Sequence, residues 1–462
     1  MKNKNNPPRK NRHTMHSNLK NYNETVNYLY SLQKHGIKLG LANIKTLMGI
    51  LGEPHKSFHS IHVAGTNGKG STATAIASIL TENGLSTGLF TSPHLVSFTE
   101  RIRVDNRRIT ESEVIDLASE TYNSISNTDL NPTFFEFVTA MAFYYFAGKN
   151  IDWAVVETGM GGRLDATNVI HPDVTVITNI SRDHCEFLGN NISGITYEKA
   201  GIIKTGVPLI TSSLAPDTVK QLTDMAKSRN AEIHVYNKDF RGSIVRMDER
   251  HITLDYSGYK NYKNLTVPLT GEYQLYNICT AVRACEILRQ KGFQISDTSI
   301  KTGLQNMSLE GRLEWVSHDP PVILDSAHNP EAAKSLALSV KKLFAGKKII
   351  LVAGIMDDKD IRGILHPLIQ VAETVILTKT GYERAASPEK MKEIMATFKE
   401  PGANAGHVSI HKTDTVTGAV DLAKSLYRKE NIILVAGSFY TAGEVKEALG
   451  YESVLPRLRE II

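Results

Sequence analysis

Residues 61–72 read Ile61-His62-Val63-Ala64-Gly65-Thr66-Asn67-Gly68-Lys69-Gly70-Ser71-Thr72. A short apolar run, Ile61 to Ala64, stops at a glycine-rich turn. The residues after Lys69, Gly70-Ser71-Thr72-Ala73-Thr74-Ala75-Ile76-Ala77, have the propensity of a helix. Strand, glycine turn, lysine, hydroxyl and helix is the layout of a phosphate-binding loop. Gly65, Gly68 and Gly70 allow backbone N–H groups around Thr66 and Asn67 to close on an anion. The helix N-terminus adds partial positive charge and Lys69 a full one. Ser71 or Thr72 can offer a hydroxyl to a magnesium ion. The alternative is a plain strand–helix turn with an exposed lysine, but the flanking elements favour a nucleotide. The loop is short at its front, and Gly70 separates Lys69 from Ser71.

Around this loop, short apolar strands alternate with helices. Helical spacing covers residues 21–52. Gly88 to Thr91 is a strand that Pro93 prevents from continuing. Residues 99–109 show no clear pattern, and helices are expected over 111–126 and 134–147. Asp152 to Glu157 and Val174 to Thr178 are buried strands, the first leading into a glycine-rich loop through Asn168 and the second into Asp183-His184. Such alternation predicts a parallel, doubly wound sheet with ligands at the C-terminal strand ends. Residues 206–268 are richer in strand-like segments, and 275–291 form a helix with Asn277 in its first turn. From Gly311 a second α/β unit begins, with strands at 322–325, 348–352, 374–377 and 431–435. The expected division is a basic tail over 1–20, a first domain over 21–308 and a second over 309–462. The fold class is α/β: an N-terminal P-loop ATPase domain with a mostly parallel sheet, followed by a Rossmann-like α/β domain.

The formal charge of +5 is unevenly placed. Six of the 53 Lys and Arg, and none of the 48 Asp and Glu, fall in the first 20 residues, so the remainder is near neutral. That argues against nucleic acid as a partner. The tail lacks the apolar run of a secretory signal. No apolar stretch approaches the ~20 residues a membrane span needs. Cys185, Cys279 and Cys285 form no CxxC pair and read as thiols in a reducing compartment. A cytoplasmic protein, acting as a monomer and not on membranes, is the expectation.

The residues themselves leave several roles open. Glu157 fits a magnesium ligand, because magnesium prefers hard oxygen donors, and equally a cap on the next loop. His184 is a metal ligand or a satisfied polar residue. Lys199 reads as a surface lysine at a helix start. In Asp325-Ser326-Ala327-His328-Asn329-Pro330, Asn329 suits an N-cap and Pro330 the first helical position, while the same loop could reach a nucleotide across the domains. The loops at Gly354 to Asp360 and Gly437 to Phe439 also follow strands.

Ten stretches, in order, resemble the folylpolyglutamate synthase and bifunctional dihydrofolate synthase family of the Mur ligase superfamily. They are His62 to Ser71, Thr91 to Leu95, Thr99 to Ile102, Phe134 to Glu136, Glu157 to Asn168, Asp183-His184 with Leu188-Gly189, Glu198 to Ile202, Gly271 to Asn277, Gly311-Arg312, and Asp325 to Pro330. The loop with Gly70 inserted before the hydroxyl is the family's form. The resemblance implies ATP-dependent ligation of L-glutamate to a folate or dihydropteroate through an acyl phosphate, with ATP and two magnesium ions. It implies Ser92, Glu157 and His184 as metal ligands and a carbamylated Lys199. It further implies Asn277, Arg312 and Asp325 as contacts to adenine, phosphate and ribose, and His328 near the phosphates. The pterin is expected against Ile37, Lys38, Leu39 and Gly40, against Thr133, Phe134, Phe135 and Glu136, and against Leu164, Asp165 and Ala166. The chain departs from the family pattern at Lys38, Arg182, Leu309-Glu310 and Ser326, none of them a named ligand. Two rivals are a cell-wall Mur ligase, which carries a UDP-binding domain ahead of the loop, and a non-catalytic P-loop protein, which has no use for Glu157, His184 and Lys199 together.

Overall fold

The computed structural model describes residues 19–36, 40–398 and 408–451. The segment Ile37-Lys38-Leu39 and most of the basic tail lie outside the described residues. Strands β1 (His59–Ala64), β2 (Thr87–Phe90), β3 (Ile102–Val104), β4 (Arg107–Arg108), β5 (Trp153–Glu157), β6 (Val174–Ile177), β7 (Leu209–Thr211) and β8 (Ile233–Val235) form one sheet. Their order is β4-β3-β2-β5-β1-β6-β7-β8. All neighbours are parallel except at the β2–β3 and β3–β4 pairs. The order reverses around β1, which lies between β5 and β6, so a crevice opens at its C-terminal end. Strands β9 (Arg241–Met247), β10 (Ile252–Ser257) and β11 (Asn261–Val267) make a small antiparallel sheet. A third sheet contains β12 (Glu314–His318), β13 (Pro321–Leu324), β14 (Lys348–Ala353), β15 (Thr374–Thr378), β16 (Ser409–Thr413) and β17 (Asn431–Ala436), ordered β12-β13-β17-β14-β15-β16. Only β12 runs antiparallel to its neighbour.

Fifteen α-helices are present among the described residues. The first five are α1 (Tyr22–Ser31), α2 (Ala42–Ile50), α3 (Lys69–Glu82), α4 (Glu111–Ile125) and α5 (Phe134–Gly148). Next come α6 (Cys185–Leu188), α7 (Ile192–Ala200), α8 (Pro216–Lys227), α9 (Gln274–Gln290) and α10 (Asp297–Asn306). The last are α11 (Pro330–Leu343), α12 (Ile361–Ile369), α13 (Pro388–Ala396), α14 (Val416–Leu426) and α15 (Phe439–Ala448). Every residue of α3 from Ser71 to Leu80 is buried. A helix buried all round must be flanked on every side, and α3 lies between the main sheet, α9 and α10. Its contact with α10 is close: a Cβ on Gly303 would stand 2.5 Å from Ile79 Cα.

Four elements differ from the sequence reading. Residues 99–109 contain the β3–β4 hairpin, whose turn residues Asp105 and Asn106 both have positive φ (50° and 62°). That is the backbone of a two-residue hairpin turn, and Asp-Asn supplies it without glycine. The strand-rich stretch 206–268 contains α8, begun by Pro216 and buried only at Thr218, Leu222 and Ala226. The second unit has two further strands, β12 and β16, both at sheet edges where polar residues mask the pattern. Lys199 is near the end of α7 and buried, not at an exposed helix start.

Candidate active site

The strand register gathers the predicted groups. Val63 of β1 is level with Glu157 of β5, and Ala64 is level with Ile177 of β6, so the glycine loop, Glu157 and the segment to His184 leave the sheet side by side. Gly65 has φ +146°, and a Cβ there would meet Thr178 Oγ1 at 1.8 Å. Gly68 has φ +86° and a Cβ would meet Asn277 Oδ1 at 2.1 Å. Both positions need glycine. Gly70 does not: it lies in the first turn of α3, and a Cβ would reach only ordinary contact with Glu157 Oε2 at 3.5 Å. The loop is pinned to the β6 exit. Thr66 Oγ1 donates to Ser181 O (3.0 Å), Asn67 N–H to Asn179 Oδ1 (2.7 Å) and Thr178 Oγ1 to Asn67 O (2.7 Å). The cap of α3 is Gly68, which has no side chain to satisfy the first-turn N–H groups. Of the two hydroxyls, Ser71 lines the cleft, while Thr72 is buried and donates to Asn277 O.

Lys69 Nζ donates to Thr66 O (3.2 Å) and stands 3.9 Å from Glu157 Oε1. Glu157 is 4% exposed, and Ser92 N–H donates to its other oxygen at 3.2 Å. Burial raises the Glu157 carboxyl above its ordinary range, against the pull of Lys69. Lys199 Nζ donates to Gly65 O at 2.7 Å. Burial, followed by the charge of Lys69, lowers this amine to about 7. His184 caps α6 in the left-handed region (φ 51°), and burial lowers it to about 3, which makes it a neutral imidazole at physiological pH. Among the described residues no three His, Cys, Asp or Glu side chains already form a metal cage. Ser92, Glu157 and His184 instead line one cleft of about 460 Å³.

The opposite wall comes from the second unit. Arg312 places its guanidinium over the Phe439 ring at 5.1 Å. Asp325 accepts from Tyr273 OH (3.2 Å), Leu313 N–H (3.0 Å) and Ala327 N–H (2.9 Å). His328 donates from Nδ1 to Ser326 O (2.9 Å), and its Nε2 is 3.3 Å from Asp183 Oδ2. Asp183 ties the walls together. It accepts from Lys359 Nζ (3.0 Å) and Asn329 Nδ2 (3.2 Å), while Asn329 and Asn67 exchange amide hydrogen bonds. Despite burial, His184, His328 and Lys359 hold its carboxyl well below the usual range. Asn329 also caps α11 through Ala332 N–H, with Pro330 in the first turn.

The cleft lining includes Thr66, Asn67, Gly68, Lys69, Ser71, Ser92, Glu157, His184, Asn277, Arg312, Asp325 and His328, along with Lys359 and Arg384, which the sequence reading did not single out. Asp183 and Asn329 lie within sequence motifs that assign them no ligand role. Lys359 falls in the loop after β14 that the strand pattern had flagged. The expected pterin residues that are described are not in that lining, and Ile37-Lys38-Leu39 lie outside the described residues. Phe134 is 3% exposed and stacked on Tyr30 at 5.2 Å, so it belongs to the core. Ala166 is likewise a core residue, and Leu164 is half-buried. Thr133 and Glu136 form a capping box on α5, and Glu136 also accepts from Asn43. Asp165 is buried and accepts from Met160 and Thr167 N–H groups. The Phe135 ring lies against Gly159, which does line the cleft. Gly40 is half-buried with φ +153°.

Residues 63–285 match the Mur ligase middle domain, and residues 311–439 match the Mur ligase glutamate ligase domain. Over 442 residues the chain is 33% identical to the folylpolyglutamate synthase of Lacticaseibacillus casei, covering 93% of this chain and 99% of that one. It is 32% identical to the dihydrofolate synthase/folylpolyglutamate synthase of Bacillus subtilis, at 93% and 99% coverage. The chain belongs to the folylpolyglutamate synthase and dihydrofolate synthase family. Solved members agree in fold. Escherichia coli FolC in complex with DHPP and ADP superposes with a TM-score of 0.83 at 32% identity, covering 93% and 98% of the two chains. The Mycobacterium tuberculosis folylpolyglutamate synthase complexed with ADP gives 0.85 at 31%, covering 94% and 100%. No described helix is long and apolar enough to cross a membrane. The three cysteines are free, with Cys279 and Cys285 buried.

Proposed function

We propose that the cleft is the site of ATP-dependent ligation of L-glutamate to a folate or dihydropteroate carboxylate, the reading its family and geometry support. One observation carries it. A phosphate loop on the first unit faces a wall of charged groups from the second, and each belongs to a domain of the ligase type. The carboxylate of the folate attacks the γ-phosphorus of ATP, ADP leaves, and an acyl phosphate forms. The α-amine of glutamate then attacks the acyl carbon, phosphate leaves and the amine loses a proton, giving the amide. The first step requires alignment and charge neutralisation more than covalent help.

In this reading the α3 N-terminus, Gly65 to Gly70 and Lys69 hold the β- and γ-phosphates. Asn277 faces the adenine side, Asp325 the ribose, and Arg312 and His328 approach the phosphates from the other wall. Lys359 and Arg384 are cations of that wall, now held by Asp183 and Asp358 (3.1 Å), and glutamate brings two carboxylates for them. Phe135, beside Gly159 of the cleft lining, is a pterin contact in this reading.

Magnesium fits the first wall, because Glu157 is a buried carboxylate with Lys69 Nζ 3.9 Å away and the charges of Arg312 and Arg101 also acting on it, and Ser92 adds a hydroxyl. His184, kept neutral, suits a second ion. Bound there, magnesium would neutralise phosphate charge. Lys199 is suited to carbamylation: its largely desolvated amine has a neutral fraction near pH 7 whose lone pair attacks CO2 and releases a proton. Both walls come from one chain, which supports a monomer as the working unit. The direct test is ADP release with ATP and a folate acceptor, with and without L-glutamate. Glutamate-dependent release supports the reading, and glutamate-independent release contradicts it. Comparing dihydropteroate with tetrahydrofolate separates single from dual activity.

A further inference from the structure

The chain passes once between the units, through residues 307–313 between α10 and β12, and Arg312 leaves from that joint. We propose that Glu310 is a positioning residue of the ligase, a two-sided charge clamp that fixes the joint and so aims Arg312 into the cleft. The proposal rests on the ligase reading.

Glu310 has one carboxylate oxygen paired with Arg108 on β4, in the first unit. Its other oxygen accepts from Lys446 Nζ at 2.5 Å, on α15 of the second unit. Arg103 on β3 donates to Ser308 O at 3.5 Å, so the hairpin grips the joint twice. Lys446 is 2% exposed and also meets Glu314 Oε1 at 2.7 Å. The second oxygen of Glu314 accepts from Gly311 N–H at 2.7 Å. Glu310, Lys446, Glu314 and Gly311 therefore close a ring on the residue immediately before Arg312. Gly311 leaves no slack: its carbonyl accepts from Ser326 N–H (3.0 Å) and Oγ (2.9 Å), and a Cβ on it would stand 2.7 Å from Leu95 Cδ1.

The clamp also reaches the first wall. Arg108 faces Glu100 at 3.9 Å, and Glu100 accepts the N–H groups of Leu95 (2.7 Å), Val96 (3.0 Å) and Ser97 (2.7 Å). That segment continues from Ser92. One chain of charges thus runs from the loop carrying Ser92 to the joint carrying Arg312. Exposed ion pairs add little stability, and the Arg108 arm is partly exposed. Its contribution is geometric. Neutralising residue 310 leaves Lys446 paired with Glu314, so no buried cation is stranded, while the charged grip of Arg108 on the joint is lost and the Arg103–Ser308 contact remains.

The test is Glu310→Gln beside Arg108→Gln and the double variant, in the full chain. Turnover, KM for ATP, thermal midpoint and hydrogen exchange of the 307–314 segment are measured. We expect Glu310→Gln to lower kcat by about 10- to 100-fold, as misplacement of a charged group by about 1 Å does, with the thermal midpoint near wild type. Arg108→Gln should act in the same direction, and the double variant should be no worse than the poorer single. Exchange in 307–314 should speed up by about tenfold without change in α3. Unaltered kcat, multiplicative losses, or unchanged exchange in that segment would overturn the clamp. A wild type without glutamate-dependent ADP release would count against the ligase reading instead, and the exchange measurement would still decide the clamp.

Discussion

The two walls of the cleft are built by different means. On the first wall, backbone does the positioning: two glycines at positive φ, an uncapped helix start and strand ends in register. On the second, side chains from four separate loops are aimed by hydrogen bonds, a ring contact and ion pairs, two of which cross between the units, at Asp183–Lys359 and Asp183–His328. A backbone wall is set by local sequence and survives domain movement. A side-chain wall exists in this form only when the units are together, so its contribution is conditional on closure.

The largest effect expected from that contrast is on the first wall. Lys69→Ala should cut ligation by at least about a thousandfold, because it removes the only full charge carried by the phosphate loop itself. Circular dichroism and thermal midpoint should stay near wild type, since Lys69 makes one hydrogen bond, to Thr66 O, and its loss removes both a 3.9 Å attraction to Glu157 and a repulsion of Lys199. Near-normal turnover would refute the loop assignment. Lys199→Ala should come next, with a loss of about a hundredfold or more and partial recovery on adding short carboxylic acids. Intact mass of the active enzyme should show one added CO2.

Asp183→Asn tests the second wall. It removes the carboxylate that holds both Lys359 and His328 while leaving the phosphate loop in place. We expect kcat to fall about tenfold and KM for glutamate to rise more than KM for ATP. Equal changes in both KM values would mean the walls are not separable.

The smallest effect concerns stability. Lys199 titrates near 10.5 when unfolded and near 7 in the fold. Between those values the unfolded chain binds the extra proton, so stability rises with pH, and below 7 the burial penalty is fully present. In CO2-free buffer Lys199→Met should therefore raise the thermal midpoint at pH 6 by roughly 3–5 °C, with the gain vanishing above pH 10. A pH-independent gain would mean the lysine is not desolvated in solution.

The same contrast explains what could be read from sequence. The phosphate loop and the Asn329-Pro330 cap are local, so residue type and spacing disclosed them, whereas spacing left Glu157 open between a metal ligand and a loop cap. Lys359 and Arg384 could not be read this way, because each is paired with an acid and acquires its place only when loops far apart in sequence meet. Asp183 was visible in a motif, yet its task depends on partners 145 or more residues away. The expected pterin contacts mixed two kinds of residue. Among the described residues, Phe134 and Ala166 are core, Thr133 and Glu136 cap a helix, and Phe135 lies against Gly159 of the cleft lining. The β3–β4 hairpin escaped notice because its strands are short and charged, although Asp105-Asn106 was the cue. That hairpin supplies Arg108 to the joint.

The central claim is that both walls act together on one ATP to join glutamate to a folate. Its most direct measurement is ADP release by the wild type with a folate acceptor at saturating ATP, as L-glutamate is raised from zero. Release should follow glutamate and match the amide formed one for one. ADP release independent of glutamate, or release without amide, would contradict it.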